Sequence, residues 1–172
     1  MTRIYPDEPA EPFPRPPRTI TDGEERSIEI ISADDADTER LVEMYLDFDP
    51  EDRAQGIPPV QEEAIREWLD AILDDECLNV VARHDGAAGH ATLVPDDDGE
   101  HELAIFVLQA YQGAGIGTAL VETLLGHGQE AGVEHVWLTV ERWNDPAIAL
   151  YEKVGFETSS AESFEVEMAI RI

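Results

Sequence analysis

Gly113, Gly115 and Gly117 fall at alternate positions between an apolar run, Ile105–Leu108, and a segment of helical periodicity that begins at Thr118 and continues past Leu125. A strand that enters a helix through glycines leaves the first-turn N–H groups without acceptors. Those donors, with the positive end of the helix dipole, bind phosphate or pyrophosphate. A Cβ in the loop would hold the anion off the backbone and restrict the turn. The implied chemistry is capture of a phosphorylated ligand. Nucleotide hydrolysis is disfavoured, because the loop lacks the Gly-Lys-Ser/Thr of a P-loop. A dinucleotide fingerprint fits poorly as well: Leu120 stands where its last glycine or alanine belongs, and Glu134 precedes the next strand instead of ending it. His84, His90, His127 and His135 show no metal-ligand spacing, so no metal is implied.

The elements that must position this loop follow from periodicity and turn residues. Residues 1–26 hold Pro6, Pro9, Pro12, Pro14, Pro16 and Pro17 among acidic side chains, a composition that reads as a disordered arm. Residues 27–172 read as one domain. Ser27–Ile31 is a strand, and Asp34 or Asp35 caps a helix carrying Leu41, Val42, Tyr45 and Leu46. A polar loop, Phe48–Pro59, leads to a second helix from Val60. Leu78–Arg83 and Ala87–Pro95 pair through His84-Asp85-Gly86. A strand from Glu100 to Leu108 feeds the glycine loop, and the helix after it runs from Thr118 to Ala131. His135–Val140 is another strand. Pro146 opens a last helix that Gly155 ends, and strands over 156–158 and 164–171 complete the order β-α-α-β-β-β-α-β-α-β-β.

Charge narrows the setting. Against 39 acidic residues stand 11 basic ones, for a net charge of −28, and Lys153 is the single lysine. Such a chain is a poor partner for nucleic acid. It also repels a polyanionic ligand unless salt screens the charge, and the Debye length falls to about 3 Å near 1 M salt. The composition therefore reads as that of a halophile. No stretch approaches a membrane span and no signal-peptide core is present, which points to a cytoplasmic protein. Cys77, the lone cysteine, sits in the apolar run CLNVVA and reads as a packed strand residue.

Two motifs in order make the loop specific. Gln112-Gly113-Ala114-Gly115-Ile116-Gly117, after Val107, resembles the Q/R-x-x-G-x-G/A acetyl-CoA motif of the GNAT (GCN5-related N-acetyltransferase) superfamily. Asn144 to Phe156 (NDPAIALYEKVGF) resembles that family's N-x-x-A-x-x-L-Y-x-x-x-G-F block. The resemblance covers residues 27–172 and is to a member of haloarchaeal type. It implies an α/β fold: a mixed, mostly antiparallel sheet of six or seven strands flanked by four helices, with two strands splayed at an acetyl-CoA cleft.

The resemblance also implies roles. The backbone of Val107 and Gln109 would bond the pantetheine amides. Gln112, Gly113, Gly115, Gly117 and Thr118 would surround the pyrophosphate with N–H groups, each charge-assisted bond being roughly twice a neutral one. Relatives with Arg or Lys in this loop gain a cation that Ala114 does not supply. Tyr151 would be the general acid toward the CoA sulfur, its alternative being aromatic packing. Asn144 would contact the cofactor, or simply cap the helix. The base would be Glu102 or His101. They fall on opposite strand faces, and a one-residue register change or bulge swaps them. The acceptor pocket would come from Phe48–Pro59 and Thr158–Ser163, where Asp49, Glu51, Asp52 and Glu162 can attract a cationic amine. The function implied is acetyl transfer from acetyl-CoA to a primary amine, on a small molecule or a peptide, by direct attack in a ternary complex. The alternative is a catalytically silent acyl-CoA-binding module. A homodimer is left open.

Overall fold

A computed structural model describes residues 3–53, 57–162 and 164–172. Its strands are β1 (Arg18–Thr21), β2 (Ser27–Ser32), β3 (Leu78–Arg83), β4 (Ala87–Pro95), β5 (His101–Val107), β6 (His135–Glu141), β7 (Glu157–Ala161) and β8 (Glu165–Arg171). Its α-helices are α1 (Thr38–Leu46), α2 (Glu62–Ile72), α3 (Ile116–Glu130) and α4 (Asp145–Val154). All eight strands form one sheet in the order β1-β2-β3-β4-β5-β6-β8-β7. The pair β5–β6 is parallel and the other six pairs are antiparallel. The architecture is the expected one with an added strand, β1. No helix among the described residues is long and apolar enough to cross a membrane.

Two apolar layers cover the sheet. On one face, Ile116, Leu120, Leu124 and Leu125 of α3 and Tyr151 of α4 pack on Ile28, Ile30, Val80, Leu93 and Leu138. On the other, Leu41 and Tyr45 of α1 and Ile65 and Leu69 of α2 enclose Val81, with Phe106 packed against them. A buried polar chain runs through this second layer. Tyr45 Oη lies 2.6 Å from His90 Nδ1, His90 Nε2 lies 2.7 Å from Asn79 Oδ1, and Asn79 Nδ2 donates to the Ile72 carbonyl at 2.7 Å.

The proline-rich arm differs from its reading as disordered. Residues 18–21 pair with β2, Arg18↔Ile30 to Thr21↔Ser27. Upstream, Ala10 N–H donates to Arg171 O at 2.7 Å and Phe13 N–H to Gln129 Oε1 at 2.8 Å. The physical reason lies in α3: a Cβ at Gly126 would overlap the Pro14 carbonyl, so this glycine opens the surface across which the arm passes. A mid-helix glycine costs about 1 kcal/mol against alanine. Here that cost accompanies close backbone packing. Helix α3 also begins at Ile116, two residues before the expected Thr118, and Cys77 precedes β3 instead of lying within it.

Candidate active site

The parallel pair β5–β6 holds together at only two positions, His101↔Val136 and Glu102↔Trp137. Beyond them β6 stays in register with β8 from His135↔Arg171 to Glu141↔Glu165, while β5 follows β4 to Gly89↔Val107. The strands diverge, and the wedge between them is a cleft of about 360 Å³. Its walls are Glu102–Phe106 of β5, Thr139–Glu141 of β6, and Asn144, Ala147 and Tyr151 at α4; Glu51, Asp52, Arg53 and Ile57 close one side. Leu108 N–H donates to Ala88 O at 2.9 Å. In an antiparallel ladder the alternate residues, Ile105 and Val107, then turn their backbone groups from β4 toward the cleft.

At the far end of β5, Gln109–Tyr111 form one 3₁₀ turn and residues 112–115 lead into α3. Gly113 and Gly115 have φ of 72° and 89°, a region that strains any residue with a Cβ, and nothing lies within 4 Å of where that Cβ would be. The space above the loop is open. The first-turn N–H groups of α3, at Ile116, Gly117 and Thr118, have no acceptor within the helix. Gly117 serves a further purpose, since a Cβ there would sit 3.1 Å from Leu150 Cδ1 of α4. Gln112 turns its side chain away from the loop: Nε2 donates to Val107 O and to Asp52 Oδ2, both at 3.0 Å. The Val107 carbonyl is thereby occupied, and Gln109 O accepts from Gln112 N–H at 3.2 Å.

Tyr151 is 8% exposed, packs edge-on to Phe156, and lines the cleft. Burial pushes its phenol up to about 12, so it carries its proton at neutral pH. Asn144 is a helix cap, its Oδ1 accepting from Ala147 N–H at 3.3 Å at the start of α4, and the residue also lines the cleft.

Glu102 and His101 part company. Glu102 faces the cleft, whereas His101 lines a separate depression with Glu76, Gly132, Glu134 and His135. Desolvation by the cleft walls raises the Glu102 carboxyl above its usual range. Asp96, Glu165 and Glu167 add to the shift and Arg3 opposes it. Of the acidic residues expected around an acceptor, Glu51 and Asp52 line the cleft. Asp49 caps a 3₁₀ turn by accepting from Glu51 N–H. Glu162 lines a neighbouring groove that shares Thr139 and Glu165 with the cleft. Residues 54–56 of the first acceptor loop and Ser163 of the second lie outside the described residues.

The sequence reading missed Arg53 and Arg3. Arg53 donates to the Phe48, Pro58 and Tyr45 carbonyls at 3.0, 3.1 and 3.4 Å, which ties the α1–α2 connection into a wall. Its signal was a lone cation in an acidic loop. Arg3 lies 3.6 Å over the Trp137 ring and pairs with Glu167 and Glu100. Nothing local in an arm of prolines marks that contact.

The sequence pattern of the acetyltransferase (GNAT) family matches residues 38–156. This chain belongs to that family. An N-acetyltransferase of Mycobacterium tuberculosis, itself uncharacterized, is 32% identical over 121 residues, 63% of this chain and 78% of the relative. Among solved structures, the GNAT domain of S. lividans PAT superposes with a TM-score of 0.77 at 18% identity, covering 91% of this chain and 97% of that one. The yncA protein of Salmonella typhimurium, solved with its cofactor acetyl-CoA, superposes with a TM-score of 0.67 at 20% identity, covering 84% and 93%. The chain is thus an N-acetyltransferase by family.

Proposed function

We propose that this enzyme transfers an acetyl group from acetyl-CoA to a primary amine by direct attack in a ternary complex, with Tyr151 as proton donor and Glu102 as base. The observation that carries the reading is that one cleft is lined by both a buried, protonated phenol and a carboxylate, along the strand β5 that leads into the glycine loop and the first-turn N–H groups of α3. Two features support acetyl-CoA as the donor, although Gln112 would have to release the Val107 carbonyl for a pantetheine amide to reach it. The splayed edge of β5 offers backbone groups to an extended amide-bearing chain, and open space over Gly113 and Gly115 admits a pyrophosphate. Acetyl-CoA supplies an activated acetyl thioester.

Glu102 accepts a proton from the ammonium of the acceptor, directly or through one water, and frees the nitrogen lone pair. A C–N bond forms and the C–S bond breaks. Tyr151 Oη–H donates to the departing sulfur. Its pKa of about 12 exceeds the roughly 8.5 of an ordinary thiol. Complete transfer from the phenol is therefore uphill, and Tyr151 acts by stabilising developing negative charge on sulfur. Nitrogen gives up two protons in all: one leaves on Glu102 and passes to solvent, and the second, lost once the C–N bond has formed, goes to the sulfur to give CoA thiol. Cys77 is not among the residues lining the cleft, which favours direct attack over an acetyl-cysteine intermediate.

The acceptor side carries Glu51, Asp52, Glu102, Glu141 and Glu165, which suits a cationic amine. The charge of −28 supports a cytoplasm of high salt. A panel of peptide N-termini, lysines, polyamines and amino acids, read by release of free CoA, tests the assignment. Release with no amine in the panel, alongside intact CoA binding, would favour the silent module.

A further inference from the structure

The segment joining β1 to β2, Asp22–Arg26, lies outside the residues that match the family pattern, yet it grips the glycine loop. The turn is built around Asp22, which is 7% exposed. Asp22 Oδ1 accepts from Glu24 and Arg26 N–H at 3.0 and 2.8 Å, and Oδ2 from Arg26 Nε at 2.7 Å. Two contacts reach across from it. Gly23 N–H donates to Ala114 O at 2.8 Å. The Arg26 guanidinium lies 4.3 Å over the Tyr111 ring and donates from Nη1 to Ala110 O at 3.3 Å.

The first contact has a consequence for the cradle. In a trans peptide the C=O and the following N–H point in opposite directions. Holding Ala114 O against Gly23 turns Gly115 N–H the other way, at the residue whose φ of 89° starts α3. Without that bond the Ala114–Gly115 peptide is free to rotate, because glycine populates both signs of φ. A rotated peptide would present a carbonyl where a phosphate needs a donor. The second contact sets a guanidinium beside the approach to a loop that carries no cation of its own.

We propose that the Asp22–Arg26 turn is a positioning element for the phosphate cradle, with Gly23 fixing the Ala114–Gly115 peptide and Arg26 holding the 3₁₀ turn before it. This rests on residues 112–118 being the CoA pyrophosphate site. Donor binding in this enzyme then depends on a segment upstream of residues 38–156, which match the family pattern.

The test compares CoA with pantetheine, which has the same amide arm and no pyrophosphate, by calorimetry on the full chain. Gly23→Pro removes the N–H, and Arg26→Gln removes the guanidinium while keeping Gly23. Melting without ligand monitors folding. Gly23→Pro is expected to weaken CoA about tenfold, in line with one hydrogen bond, and Arg26→Gln about threefold, with pantetheine binding unchanged in both. Equal loss for the two ligands, or no loss for either, overturns the proposal. If Gly23→Pro does not fold, Arg26→Gln decides alone by the same criterion. A wild-type protein that binds the two ligands equally would instead refute the cradle itself.

Discussion

On the side proposed for the donor the groups that would face a ligand belong to the backbone, whereas on the other side they are carboxylates carried by four separate segments. The donor side is contiguous: residues 105–118 supply a strand edge, a 3₁₀ turn and a helix start in one passage of chain. The opposite side draws Glu51 and Asp52 from the α1–α2 connection, Glu102 from β5, Glu141 from β6 and Glu165 from β8. Backbone donors tolerate change in most side chains but not in the φ values that aim them. Carboxylates tolerate backbone change and fail when the side chain goes. The two halves should therefore respond to different perturbations.

The largest separation is expected from Tyr151→Phe. It should lower kcat by about 10²–10³, the usual range for a lost donor to developing negative charge, with CoA affinity kept; unchanged turnover on every responsive amine removes Tyr151 from the chemistry. Glu102→Gln comes next, with a fall in kcat/KM of about 10². As the proposed base Glu102 would work only when ionised, and its pKa is held above the usual glutamate value of roughly 4.3 by desolvation. Activity should thus rise with pH through that raised pKa in the wild type, and the variant should lose this acid limb. A limb that persists unaltered belongs to another group.

Gly115→Ala addresses the donor half. A Cβ at φ 89° costs about 1–2 kcal/mol. Acetyl-CoA KM should rise about tenfold with kcat and acceptor KM little changed, and a change confined to the acceptor KM would reverse the assignment of the halves. Salt gives the smallest effect and the sharpest contrast. Screening a charge of −28 should strengthen binding of the polyanionic donor and weaken that of a cationic amine, each about threefold between 0.1 and 1 M KCl. Parallel responses would break the comparison, and full activity at 0.1 M KCl would count against a halophilic setting.

The same contrast explains what the sequence made legible. The glycines at 113, 115 and 117 and the run from Asn144 to Phe156 are local patterns, and the elements around them appear with ends shifted by one or two residues in most cases. Glu102 and His101 could not be separated, because one residue of register decides which faces the cleft; pairing of Glu102 with Trp137 and Val94 fixes that register only in three dimensions. The arm misled for a physical reason. Proline content describes what a segment cannot do alone, and the partner that accepts it, the surface over Gly126, lies more than a hundred residues away. Gly126 in mid-helix was the available clue.

The buried chain Tyr45–His90–Asn79–Ile72 carries a polarity that runs one way. The Ile72 carbonyl can only accept, so the Asn79 amide nitrogen must donate and its oxygen must receive. His90 then bears its hydrogen on Nε2 and presents a lone pair on Nδ1, and Tyr45 has to point its hydroxyl hydrogen at the ring. Burial lowers the imidazole to about 3, so the single tautomer persists across ordinary pH. A proton added to Nδ1 would meet the one Tyr45 already offers. The Tyr45 hydroxyl would then have to rotate and accept from the ring, turning its own hydrogen into a packed layer. The wall that Arg53 ties to the Tyr45 and Phe48 carbonyls starts from the end of α1, so a fully buried histidine outside the cleft lining sits behind the residues that shape the cleft's mouth.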